Sequence, residues 1–121
     1  MSNEIAFTDR VIATVNGRQV ESGWAGTQYM DMTGDDYVQI SLQLTTTFEL
    51  IPTGDIGTLG VCRIENTGTV NVEVGQSASG DALLLLLPGE SCRCRLGTDM
   101  QTPAVRTTTS TGSVDVLILE S

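Results

Sequence analysis

The chain has 121 residues, 15 acidic against 6 basic, for a formal net charge of −9, and every basic residue is arginine: Arg10, Arg18, Arg63, Arg93, Arg95 and Arg106. Nucleic acid is recognised by clustered positive charge and an anionic membrane repels an acidic protein, so neither is expected as a partner. Histidine is absent, which removes the commonest general base, the Ser-His and Cys-His nucleophile pairs and the commonest zinc ligand; the expectation is a protein that is not an enzyme and holds no cofactor.

Residues 1–9 carry only Ile5 and Phe7 as large apolar anchors and read as a loose N-terminal arm, with a single domain expected over 10–121. They lack the basic start and apolar stretch of a signal peptide, so synthesis in the cytoplasm is expected. Asn16-Gly17 separates two β-favouring runs and predicts a tight hairpin joining strands over 11–15 and 18–21. Residues 22–36 read as a loop rich in glycine and aspartate. It holds Trp24, Tyr29, Met30 and Met32, which either mark a contact surface or, for the two aromatics, cap one end of the fold. Asp31, Asp35 and Asp36 are weak candidate calcium ligands, because their spacing matches no calcium-loop pattern.

Clean alternation predicts a strand over 37–44, with Val38, Ile40, Leu42 and Leu44 inward. The threonine-rich 45–51 continues as a strand, ended by Pro52 and Gly54, and 56–59 is a connector. From Gly60 to Leu96 the pattern predicts four strands in succession. In the second of these Val70, Val72 and Val74 share one face; in the fourth, Cys92, Cys94 and Leu96 oppose Ser91, Arg93 and Arg95. Cys62, Cys92 and Cys94 read as small buried hydrophobes, with a disulfide from Cys62 to one of the pair as the alternative if their strands are neighbours. Arg63, Arg93 and Arg95 fall on outward faces, suited either to a subunit interface or to cross-strand pairing with Glu65 or Glu73.

Between these strands, 83–87 is leucine at every position, apolar on both faces. One set of leucines belongs to the core; the other, taken as Leu83, Leu85 and Leu87, needs a partner or the protein's own loops to cover it. After a loop over 97–103 come a strand over 104–109, a turn at 111–113 and a last strand over 114–119 contributing Val114, Val116 and Ile118 to the core. About ten short strands without helical periodicity predict an all-β fold, a single antiparallel β-sandwich or jelly roll.

Four pieces of the chain from Asp35 to the end carry a resemblance: Asp36-Tyr37-Val38-Gln39-Ile40-Ser41 before a threonine stretch; Ile64-Glu65-Asn66-Thr67-Gly68 followed by Val72-Glu73-Val74-Gly75; Leu86-Leu87-Pro88-Gly89-Glu90 with Arg95-Leu96; and the apolar, acid-ended strand Val116-Leu117-Ile118-Leu119-Glu120. The pattern resembles small structural proteins of tailed-bacteriophage virions, encoded among head and tail genes. The resemblance implies a non-enzymatic β-sandwich that adheres to the outer surface of the capsid as a decoration protein, or alternatively a tail, neck or fibre module touching other virion proteins or the host. The implied partners are the major capsid protein and further copies of the chain. A homotrimer is expected from capsid symmetry, with Ile5, Phe7, Trp24, Tyr29, Met30, Met32, the outward leucines and the three arginines as interface candidates.

Overall fold

A computed structural model describes residues 3–32, 34–76, 81–97 and 103–121, without the side chains of Asn3, Trp24, Ala25 and Asp31. Antiparallel strands dominate it, and no helix occurs among the described residues. The chain divides into two compact units, Met1–Thr33 and Gly34–Ser121.

The first unit is one long ribbon of β1 (Asn3–Val15) and β2 (Arg18–Met32), paired with each other alone. The expected turn is present: Asn16 and Gly17 take φ of 52° and 75°, the pair of positive values that matches the twist of a two-residue hairpin. The strands extend much further than alternation near the turn suggests. The segment expected as a loose arm is strand from Asn3 onward, and the segment expected as a loop is strand through Met32. The register slips between Phe7 and Asp9, opposite the stretch from Trp24 to Gln28, and next to it stands Gly23, whose φ is 101°. A Cβ at Gly23 would collide with the Asp9 carbonyl, so glycine permits the irregularity that lets the ribbon continue. Glycines that read as loop residues in the sequence therefore serve a bulged strand.

The second unit holds β3 (Tyr37–Leu44), β4 (Glu49–Leu50), β5 (Leu59–Asn66), β6 (Val72–Gly75), β7 (Ala82–Leu86), β8 (Ser91–Arg95), β9 (Ala104–Thr107) and β10 (Gly112–Glu120). They form two four-stranded sheets, ordered β3-β10-β5-β8 and β4-β9-β6-β7. Each strand of the unit's first half pairs with its mirror in the second: β3 with β10, β4 with β9, β5 with β8, β6 with β7. Both sheets feed one apolar cluster. Leu44, Cys62, Ile64, Val114, Val116 and Ile118 come from the first, and Val72, Val74, Leu86 and Val105 from the second.

Position in the sheet explains where the expected core departs from the observed one. Val38, Ile40 and Leu42 face the cluster but stay half-buried because β3 is an edge strand. Cys94 is exposed and Cys92 half-buried for the same reason on β8. Val70 precedes β6 and is half-buried. Of the expected strand over 45–51, two residues pair as β4, although Ile51 is buried. The expected loop over 97–103 lies mostly outside the described residues.

Two turns are tied together by Asn66, which is 1% exposed. Its Nδ2 donates to the carbonyls of Val70, at 2.8 Å, and Leu86, at 2.9 Å, while its Oδ1 accepts from the Gly68 amide at 3.0 Å. Its own backbone accepts from the Gly89 amide and donates to the Glu90 carbonyl. The Pro88-Gly89 turn closes between the Leu87 carbonyl and the Glu90 amide, and Glu90 Oε1 accepts from the Leu87 amide at 2.7 Å. Asn66→Ala strands the buried Leu86 carbonyl and removes the part-buried bonds to Val70 and Gly68, so it is expected to cost about 2–4 kcal/mol in urea unfolding, from roughly 1–3 kcal/mol for an unsatisfied buried group and less for part-buried ones. Asn66→Asp keeps the acceptor but aims a carboxylate at both carbonyls, and should be worse than alanine at neutral pH.

Candidate interaction surface

β7 lies at the edge of its sheet, and its pairing with β6 sorts the leucines by face. Leu84 and Leu86 stand opposite Val74 and Val72 on the core side, and only Leu86 is buried, since among the described residues no strand continues the sheet beyond β7. Leu85 stands opposite Glu73, which stands opposite Arg106, so this row belongs to the other face. Leu83, Leu85 and Leu87 are 64%, 55% and 44% exposed, and no loop among the described residues buries them. A row of open leucines at a sheet edge is what native β proteins ordinarily avoid, because apolar side chains and unpaired backbone together invite another chain.

Beside the leucines the face is braced by charge. Arg106 Nε donates to Glu73 Oε1 at 3.1 Å, and its guanidinium lies 4.1 Å from the centroid of the buried Phe48 ring. The pair is partly buried and stiffens the sheet next to β7. Glu73, expected as a partner for the arginines of the other sheet, is therefore engaged by Arg106 instead.

Arg63, Arg93 and Arg95 occupy β5 and β8 of the first sheet, with Arg63 directly opposite Arg93. Arg63 pairs with Glu65 of its own strand, at 2.9 Å, where cross-strand pairing was expected. Arg95 Nη1 donates weakly to Ser121 Oγ at 3.5 Å. These arginines and the outward leucines lie on different sheets. The first sheet's outer side carries a shallow hollow lined by Gln39, Ser41, Arg63, Asp115 and Leu117, in which Ser41 Oγ donates to Asp115 Oδ1 at 2.6 Å.

Cys62 stands directly opposite Cys94, and Cys92 opposite Ile64; all three are free thiols. Burial, then the neighbouring Cys94 and Cys92, pushes the Cys62 thiol up to about 12, which keeps it protonated and unreactive at neutral pH. Cys92 is raised mainly by burial as well.

Of the candidate calcium ligands, Asp35 and Asp36 come together with Glu120, which alternation along the last strand gave no reason to include. Asp31 lies in β2, paired with Glu4, in the other unit. The Glu120 carboxylate has a structural use: Oε1 accepts from the Asp35 amide at 3.3 Å and Oε2 from the Gly57 amide at 3.0 Å, pinning two loops to the end of β10. Of the remaining interface candidates, Ile5, Phe7, Met30 and Met32 are half-buried in the ribbon, Tyr29 is exposed, and the side chain of Trp24 lies outside those described.

No protein-family profile, no curated protein and no solved structure matches this chain.

The acidic cluster carries a pH signature. Glu120 first, then loss of water and the charges of Asp35 and Asp55, raises Asp36 above its usual value of 3.8. A carboxyl raised in the folded state favours folding while protonated and opposes it once ionised, so stability is lost as the pH rises through that value. Asp36→Asn is expected to melt at a higher temperature than the parent at pH 7, with the difference closing as the pH falls to about 3, where the carboxyl is protonated in both states. A difference independent of pH would show that charge repulsion is not its source.

Proposed function

We propose that this chain is a non-enzymatic structural protein of a tailed-phage virion, most specifically a capsid decoration protein that binds the outer surface of the head and stabilises it. The observation that carries the reading is the row Leu83, Leu85, Leu87, exposed along and just past the edge strand of a braced sheet. An acidic protein with an open leucine edge is soluble while free and adhesive where a complementary surface meets it.

Two further features support the reading. When the eight strands of the second unit are numbered afresh from one, their sheets read 1-8-3-6 and 2-7-4-5. That order supports reading the unit as a ribbon of four strand pairs folded into a jelly roll, an arrangement that serves viral capsid domains among other uses. Fold alone does not give function, so the order supports the reading without carrying it. In addition, the Asn-Thr-Gly and Pro-Gly-Glu pieces of the phage-like pattern, twenty residues apart at Asn66 and Leu86, are hydrogen-bonded into one junction. Residues that look like two loose turn motifs thus have one physical reason to occur together.

The test is binding to particles that lack the protein. Replacing Leu83 and Leu85 with serine should leave the circular dichroism spectrum unchanged and weaken particle binding by about ten-fold or more, since burying one leucine is worth roughly 1.5–3 kcal/mol. Undiminished binding would remove the leucine row from the account. The copy number in purified virions, measured against the major capsid protein, separates decoration from the alternative: a comparable number fits a shell protein, and a handful fits a tail, neck or fibre module.

A further inference from the structure

The ribbon of the first unit poses a separate problem. Two strands alone are marginal in water unless something covers their apolar face. Toward the turn, the register places Asp9, Val11, Ala13 and Val15 on one face with Val20, Ser22 and Arg18 of the opposite strand. Val11 is 64% exposed, and Val15 and Val20 are each 52% exposed. The other face is polar apart from Ile12, and its Arg10 and Glu21 form an ion pair at 2.7 Å.

We propose that this face is a self-association surface, and that its occupant is the same ribbon of a second copy of the chain, laid antiparallel about a two-fold axis. The middle of the face is self-complementary in that arrangement. With the axis midway between Val11 and Ala13, Val11 meets Ala13 of the second copy and Val20 meets its Ser22, so that each large side chain faces a small one. Asp9 and Val15 stand six positions apart along β1, about 20 Å at roughly 3.3 Å per residue, and Arg18 is the partner of Val15. Reversing the second ribbon therefore brings Arg18 of each chain diagonally toward Asp9 of the other. Parallel packing, including a three-fold ring of ribbons along its axis, sets Arg18 against Arg18 and Asp9 against Asp9. Like charges at an interface oppose association, and here they select the antiparallel pair. A face this short buries less than a permanent dimer does, so association depends on concentration.

The test is sedimentation equilibrium of the full chain from about 10 μM to 1 mM, the range in which an interface of this size dissociates. The expected result is a monomer that passes to a dimer. Arg18→Asp and Asp9→Arg should each weaken the dimer by about five-fold, and the double reversal should restore it to within about two-fold, because the pair is re-formed with its signs exchanged. Val20→Asp should abolish the dimer, with circular dichroism confirming that the sheets persist. A chain that stays monomeric at the highest concentration, a limiting mass of three chains, or a double reversal no better than the single ones would overturn the proposal.

Discussion

A single buried amide holds the second unit's connections in register. Asn66 binds the carbonyls of Val70 and Leu86 and the amide of Gly68 through its side chain, and its backbone is bonded in turn to the Pro88-Gly89-Glu90 turn. Both connections are reversals at the rim of the core, and the Asn66 side chain between them is buried, so a hydrogen bond it lost there would not be replaced by water. β5, β6, β7 and β8 all begin or end beside this junction, and they include members of both sheets. The apolar cluster supplies the larger share of the driving force for folding, but it is non-directional; the Asn66 junction decides which way the chain leaves one sheet for the other.

That junction also determines what the second unit presents to its surroundings. Leu86 is held by its carbonyl to Asn66 and buried beside Val72, which turns Leu85 and Leu87 to the opposite face. Glu73 and Arg106, with Phe48 beneath the guanidinium, brace that face next to the leucines. An open leucine edge on a stiff sheet would lose little conformational freedom on docking, which is what the proposed role on a capsid surface asks of it.

How much of this was legible in the sequence varies with the reach of the interaction. Asn16-Gly17 and the strand Tyr37–Leu44 depend on neighbouring residues, and both stand where alternation and turn chemistry put them. The ribbon's length was hidden by Gly23 and Gly26, which look like loop residues until the bulge that Gly23 permits is known. Cys94 alternates as a core residue should, yet it is exposed because strand order makes β8 an edge, and no local pattern encodes strand order. Glu120 joins Asp35 across 85 positions, and Asn66 reaches Leu86 across 20, so neither role follows from local spacing. The double apolarity of 83–87 was readable, and the exposure of its outward leucines is the feature that sequence and structure share most directly.

The account rests most on the claim that the two turns around Asn66 form one cooperative unit with the core. Amide hydrogen exchange measures this residue by residue, because groups that open only with the whole fold exchange at the global unfolding free energy. The amides of Asn66, Gly68 and Gly89 should exchange as slowly as those at the centres of β5 and β10, and far more slowly than those of the β1–β2 ribbon. Exchange of Gly68 and Gly89 at the rate of open turns, with the strand centres still protected, would contradict the claim.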